Sequence, residues 1–456
     1  MLTYELKKSP GVPLYEALYR CIRQDILAGN LAPGEKLPSK RALAENLEVS
    51  KITVETAYNQ LLSEGYISSR EKIGYFVEAV EHSLRKPQIS APAPAPSEES
   101  CLLDVTGGGT VRFPFSVWSK LQREVMLDYG EKLLLSMPNR GIPELRQAIA
   151  DHLAAFRGMQ VNPENILIGA GTDFLYNLLI QLLGRERIYA VEEPGYGKIR
   201  KIYAAGGVRC VSAAMDGQGV RPDSLEEASV LHISPSHHFP TGLVTPVSRR
   251  KALLEWANHR DGYIIEDDYD CEFRFDTHPM PAMQSLDGSG RVIYMNSFSK
   301  SLAPSIRISY MVLPDHLMTV FQEKLGFYGC TVPSFEQYTL ARFLSRGHFE
   351  KHINRMRKFY RNRRNRVISL LENCRFAGKL TILEQDAGLH FLLKVDTDLT
   401  DEALTRRLRE MGLKVRPLSH YYHEIPAQSQ RCLVINYAGL SEDALENWLN
   451  SLPDTI

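Results

Sequence analysis

The sequence predicts an α/β protein in two parts: a winged helix-turn-helix over residues 1–80, and a large domain over 102–456. The large domain is expected to carry a mainly parallel seven-stranded sheet and a smaller α+β lobe at its C-terminal end. Three observations predict this. Short amphipathic stretches with capping serines open the chain and are followed by two alternating runs. The repeat Ala91-Pro-Ala-Pro-Ala-Pro96 then breaks all periodicity. From Leu102 onward, apolar runs of strand length alternate with helical stretches, the pattern of a sheet covered on both faces.

A chain of 456 residues with 44% hydrophobic content exceeds one ordinary domain and supplies a large core. Lys+Arg and Asp+Glu number 54 each, so no global field draws the molecule to nucleic acid or membranes, and any DNA affinity must be local. Seven cysteines stand singly without a Cys-x-x-Cys pair, which argues against zinc and against a disulfide framework. No signal-like start and no run of about 18 apolar residues occurs, so the expectation is a cytoplasmic protein with no membrane partner.

In the head, Leu14, Leu18, Ile22 and Ile26 recur every fourth residue and form one helical stripe, which Gly29 and Pro33-Gly34 end. Ser39 caps a second helix, with Leu43, Ala44 and Leu47 inward. Ser50 caps a third, whose apolar face is Val54, Ala57, Tyr58 and Leu61. Two short helices joined by a tight turn place the second in a major groove. Gly65-Tyr-Ile-Ser-Ser-Arg70 and Gly74-Tyr-Phe-Val77 read as the hairpin wing.

In Pro33-Gly-Glu-Lys-Leu-Pro-Ser-Lys-Arg-Ala-Leu-Ala44 and Val49-Ser-Lys-Ile-Thr-Val-Glu-Thr-Ala-Tyr58 this head resembles the winged-helix domain of GntR-type regulators, over roughly residues 11–78. The resemblance implies double-stranded operator DNA as partner. It implies contacts from Lys40 and Arg41 on the second helix and from Ser50, Lys51 and Thr53 opening the recognition helix. Arg70 and the turn at Gly74 would approach the backbone or minor groove. Lys51 stands where many relatives carry arginine, and Glu55 where a base-reading arginine can occur, which weakens direct guanine readout. Residues 81–101, rich in proline and alanine, are expected to form a semi-rigid linker.

In the large domain, Gly169-Ala-Gly-Thr172 follows a strand and precedes an apolar helix, so backbone N–H groups and the helix dipole converge on one point suited to a phosphate. Glu193-Pro-Gly-Tyr196 presents an aromatic ring after the next strand. Ile264-Ile-Glu-Asp-Asp-Tyr-Asp270 sets Asp267 at a strand end, 33 residues before Lys300, room for one crossover to a neighbouring strand. A magnesium site is the alternative for this acidic run, but no Gly-x-x-x-x-Gly-Lys loop accompanies it. Lys300 itself emerges where Arg291-Val-Ile-Tyr-Met-Asn296 runs into Ser297 and Ser299, at the carboxyl end of a strand, where open α/β sheets bind ligands. An amine able to condense with an aldehyde, two hydroxyls and Arg307 as a bidentate cation are the equipment pyridoxal phosphate (PLP) requires.

Together with Gly141-Ile-Pro-Glu-Leu-Arg146 and Phe239-Pro-Thr-Gly242, these stretches look like the fold-type I aminotransferases over residues 102–453. With the head in front, and with Pro235-Ser-His-His-Phe-Pro-Thr-Gly242, the whole chain resembles the MocR subfamily of GntR regulators. The resemblance implies a PLP cofactor with Lys300 as its covalent anchor, Asp267 as partner of the ring nitrogen and Tyr196 stacked on the ring. It places Tyr269 at the phenolic oxygen and Gly171, Thr172, Ser297, Ser299 and Arg307 at the phosphate. It also implies a homodimer with head-to-tail exchange of domains. The effector would be an amine or amino acid, or PLP itself as the signal; an active aminotransferase with an accessory DNA-binding head is the alternative.

Two departures bear on that alternative. Phe239 replaces the asparagine before Pro-Thr-Gly, removing a hydrogen bond to the phenolic oxygen unless His238 supplies it. The late strand Cys432-Leu-Val-Ile-Asn-Tyr-Ala438 carries no arginine within it, leaving Arg431 and Arg416 as candidates for an effector carboxylate. The segment Arg355–Arg366 carries seven basic residues and reads either as a solvated helix or as a phosphate-contacting one. His237 and His238 lack the spacing of two ligands on one helix face, and no metal is expected.

Overall fold

The computed structural model describes residues 4, 13–71, 73–79, 102–106, 112–275, 280–385, 388–425 and 430–452. The linker expected at 81–101 lies outside the described residues. The chain divides into two compact units, Met1–Ser97 and Glu98–Ile456.

In the first unit, helix α1 (Leu14–Ala28) buries Leu18, Tyr19, Ile22 and Ile26, and ends at Gly29, whose φ of 79° lets its N–H reach back to the Asp25 and Ile26 carbonyls. Helices α2 (Lys40–Asn46) and α3 (Lys51–Ser63) begin at Ser39 and Ser50, whose hydroxyls accept the N–H groups of Ala42 and Thr53. Strands β1 (Ile67–Arg70) and β2 (Gly74–Val77) pair antiparallel, with Ile67 opposite Val77 and Arg70 opposite Gly74. Leu18, Ile22, Val54, Tyr58, Leu61, Ile67 and Val77 close one core beneath helices and hairpin.

The second unit opens with β3 (Leu103–Asp104). Its main strands are β4 (Ile166–Gly169), β5 (Tyr189–Glu193), β6 (Cys210–Asp216), β7 (Gly219–Val220), β8 (Val230–Ile233), β9 (Tyr263–Asp267), β10 (Val292–Ser297) and β11 (Ser309–Val312). They lie in the order β4-β11-β10-β9-β8-β5-β6-β7. From β10 to β6 all pairings are parallel, while β11 runs antiparallel to both its neighbours. All seven strands expected from the sequence are present. The eighth, β7, corrects the count: it is two residues long, too short to leave a periodic trace. Fully buried runs such as Ile166–Gly169, and Val230–Ile233 apart from His232, are apolar because helices cover both faces.

The C-terminal lobe continues with β12 (Leu380–Leu383), β13 (His390–Val395), β14 (Leu413–Lys414), β15 (Arg416–Pro417) and β16 (Cys432–Asn436). The order β12-β13-β16-β15 makes a four-stranded antiparallel sheet, and β14 pairs in parallel with β3. That last pairing, which the sequence did not announce, ties the first strand of the unit into the lobe. The 25-residue helix His348–Glu372 holds the lobe through buried Met356, Tyr360, Val367 and Leu371. Its basic run belongs to the body. Arg357, Arg361, Arg363 and Arg364 donate to the carbonyls of Glu272, Phe275, Ala438 and Gln385, and Arg366 pairs with Glu446 at 2.8 Å.

Candidate cofactor and DNA sites

The parallel register fixes the centre of the body site. Met295 of β10 stands opposite Asp267 of β9, so Asp267 and the Ser297–Lys300 turn leave the sheet at one carboxyl edge. Lys300 lies in the single turn Phe298–Ser301; it is exposed and makes no hydrogen bond or ion pair among the described residues. Asp267 is buried. One oxygen, Oδ2, accepts from the Tyr176 hydroxyl and lies 3.4 Å from His232 Nε2. His232 Nδ1 in turn meets the Tyr203 hydroxyl at 2.6 Å. The other oxygen, Oδ1, is buried without a partner. A buried carboxylate oxygen without a donor is costly, and a protonated ring nitrogen brought to it would complete the network.

Gly171 caps the 12-residue helix Thr172–Leu183 at a φ of 88°, and the Arg307 guanidinium lies so close that a Cβ there would collide with it. The positive φ demands glycine, and any side chain there would displace the guanidinium. Arg307 also approaches Asp173 Oδ2 at 3.4 Å, beside the open N–H groups of the helix start. Ser297 donates its hydroxyl to Ser299 Oγ at 2.9 Å and accepts the Ser299 N–H at 3.2 Å, fixing the turn that presents Lys300. A phosphate cradle, an unpartnered carboxylate oxygen and a free amine are the donor set PLP needs, and these residues fit it.

Tyr269 follows two residues after Asp267, and its hydroxyl lies 3.2 Å from His237 Nδ1, which also pairs with Asp270 Oδ2 at 2.8 Å. Burial, reinforced by Asp270 and Asp267, pushes the Tyr269 phenol up. The histidine beside Tyr269 is therefore His237. His238 turns elsewhere, with Nδ1 on Thr241 Oγ1 at 2.7 Å and Nε2 3.5 Å from Glu192 Oε2. Burial lowers His238 to about 3 and raises Glu192 to about 8, so the two face each other uncharged at neutral pH. Phe239 sits among rings, edge-on to Tyr196 at 5.9 Å, to Tyr421 at 5.1 Å and to His390 at 5.1 Å. It offers shape where asparagine would offer a hydrogen bond.

Tyr196 is 52% exposed and lines a cavity of about 670 Å³ with Glu192, His232, Tyr421 and Arg416. Of the two arginines proposed for a carboxylate, Arg416 lines this cavity. Arg431 does not: its backbone N–H donates to Asp401 Oδ1 at 2.7 Å, at a φ of 53°. The acidic run also resolves into separate duties. Glu266 accepts the N–H groups of Met283 and Gln284, and Asp268 takes Arg157 at 2.8 Å and the Tyr294 hydroxyl. Among the described residues no group of three or more His, Cys, Asp or Glu is placed to hold a metal ion.

Sequence reasoning missed Tyr176, His232, Tyr203, His237 and Glu192. Two had a readable signal: Tyr176 falls one turn after Thr172, and His232 is the one polar residue in the apolar strand beside the Asp267 strand. The others owe their place to tertiary packing.

In the head, Lys51 is exposed at the start of α3, and Arg41 is exposed on α2 beside Glu45 at 3.1 Å. Lys40 is turned inward: it pairs with Glu55 Oε1 at 2.7 Å and lies over the Tyr75 ring. Ser50 and Thr53 are joined in the helix cap, their hydroxyls 2.9 Å apart. Arg70 lies over Phe76 at the wing, and Gly74, at a φ of 133°, carries the turn.

A winged helix-turn-helix head and a fold-type I body define the class: a DNA-binding domain fused to an aminotransferase-like domain. The family comparisons agree. Residues 107–452 match the aminotransferase class I and II model, and residues 14–77 match that of the bacterial regulatory proteins of the gntR family. The chain belongs to both families and, as a fusion of the two, to the MocR-type regulators. It is 36% identical to the uncharacterized HTH-type transcriptional regulator YdeL of Bacillus subtilis, over 99% of this chain and 98% of that one. It is 34% identical to the probable rhizopine catabolism regulatory protein MocR of Rhizobium meliloti, over 98% and 94%. To the pyridoxine biosynthesis transcriptional regulator PdxR of Corynebacterium glutamicum it is 32% identical, over 95% and 94%. Among solved structures, the α-aminoadipate aminotransferase LysN of Thermus thermophilus superposes with a TM-score of 0.66 at 25% identity, covering 76% of this chain and 90% of its own. The fold family implies PLP dependence. Relatives matched from end to end favour a transcriptional regulator over an active aminotransferase. Among the described residues no helix is long and apolar enough to cross a membrane.

Proposed function

We propose that this chain is a cytoplasmic, PLP-dependent transcriptional regulator in which residues 1–80 bind operator DNA, 81–101 link, and 102–456 hold the cofactor and sense an amine or amino-acid effector. The observation that carries the reading is the buried, partnerless Oδ1 of Asp267 at the same sheet edge as the unpaired Lys300. Lys300 would anchor PLP covalently, and the bound cofactor would supply an electrophilic carbon to an amine effector. Asp267, braced by Tyr176 and His232, holds the proton on the ring nitrogen. Gly171, Thr172, Ser297, Ser299 and Arg307 hold the phosphate. Tyr269, held beside His237, would donate at the phenolic oxygen, and Tyr196, which lines the cavity, would stack on the ring. Arg416 meets the effector's carboxylate. A difference in effector affinity between two arrangements of the chain is what alters DNA affinity. Exposed Phe115, Leu127, Leu134 and Phe327 support a homodimer, with head-to-tail exchange as the expected arrangement.

The test is the visible absorbance of the purified full chain supplied with PLP. A violet band that shifts on adding amines and is missing in Lys300→Ala is the expected result. A colourless wild type, or a band unchanged in Lys300→Ala, would remove the anchor and the reading with it.

A further inference from the structure

We infer that Ile52 reads a thymine methyl group, making it the apolar specificity determinant of the operator half-site. This rests on the DNA-binding reading above and goes beyond the contacts assigned there. Helix α3 buries Val54, Ala57, Tyr58 and Leu61, which leaves Lys51, Ile52, Glu55, Thr56 and Asn59 on the outer face. Three polar groups near this face are already engaged. Glu55 is held by Lys40, whose ammonium keeps the carboxylate below its ordinary range. Thr56 donates its hydroxyl to the Ile52 carbonyl at 2.9 Å, and Thr53 is tied to Ser50 in the cap.

The groups left for base edges at the amino-terminal end of the helix are therefore Lys51 and Ile52. Lys51 makes no side-chain hydrogen bond among the described residues. Ile52 is 73% exposed, the most exposed large apolar side chain among the described residues of the head. The first residues of a recognition helix are the ones that meet base edges in the major groove. There the only apolar group any base pair presents is the thymine C5 methyl. With Glu55 withdrawn, cytosine loses its acceptor partner. The surface therefore selects for thymine beside a purine or phosphate contacted by Lys51.

The experiment uses the full-length protein and a duplex it selects from a random-sequence pool. Each thymine is replaced in turn by deoxyuracil, which differs only by the missing methyl. One thymine per half-site is expected to show about fourfold weaker binding on replacement, the worth of one buried methyl group. In Ile52→Ala that sensitivity falls below about twofold, whereas Ile52→Val retains most of it. Absence of any methyl-sensitive position, or sensitivity that persists in Ile52→Ala, would overturn the inference while leaving DNA binding intact. Failure to select any duplex would instead overturn the DNA-binding reading, and the inference with it.

Discussion

Glu192 lies at the carboxyl end of β5, with its side chain 9% exposed, and accepts the Ser234 N–H at 3.0 Å. Burial raises it from 4.5 to about 8, against the modest pull of that hydrogen bond. Between those two values the folded chain keeps a proton that the unfolded chain has released, so stability falls as pH rises through the window. His238 works in the opposite direction, since its lowered value makes stability fall as pH drops below 6.5. Glu192→Gln preserves the acceptor for Ser234 and removes the alkaline slope. Urea unfolding of the body should show the variant more stable than wild type by on the order of 3 kcal/mol at pH 8.5 and equal to it at pH 4.5. Parallel pH profiles for the two proteins would refute the assignment. At this scale the sequence was partly legible. It singled out Lys300 and Asp267, because a strand end followed by small hydroxyl residues restricts where a side chain emerges. It did not reveal the separate partners of Glu266, Asp267, Asp268 and Asp270, which come from residues 17 to 111 positions away.

Elements were legible in proportion to their length and burial. Central strands such as Ile166–Gly169 and Val292–Met295 are buried and largely apolar because both faces are covered, and three serines mark helix starts by the same cap geometry. What stayed hidden were two-residue strands and the facing of the basic helix, where arginines bind carbonyls of the body. The Ser50 cap makes the clearest test of an element. Its hydroxyl satisfies the Thr53 N–H at 3.1 Å and meets Thr53 Oγ1, while α3 supplies much of the head's core. Ser50→Ala should therefore destabilise the head by about 1 kcal/mol. Amide exchange in α3 should rise several-fold, and the Lys300-dependent absorbance should stay unchanged. Unaltered protection at Thr53 and Val54 would show that the cap contributes nothing.

Among the described residues of the body, five exposed large apolar side chains are close together in the sequence. Phe115, Met126, Leu127, Leu134 and Leu135 fall on one stretch comprising the helix Phe115–Tyr129 and the turn that follows it, with Phe327 and Tyr328 exposed elsewhere on the unit. The same helix faces inward with Trp118, Leu121 and Val125, so it is apolar on two sides, as a helix shared between two cores would be. A second copy of the chain is the occupant proposed here, and closed two-fold symmetry would give the assembly two heads for two half-sites. Leu127→Glu combined with Leu134→Glu alters only exposed positions, so folding should survive while association fails. Light scattering should show the mass halved. Operator affinity should fall by at least about 100-fold, because two tethered heads bind with an effective concentration that one head lacks. A variant that keeps the dimer mass would place the interface elsewhere. A monomer that binds the operator as tightly as wild type would mean that one head suffices, and the paired-half-site account would fail.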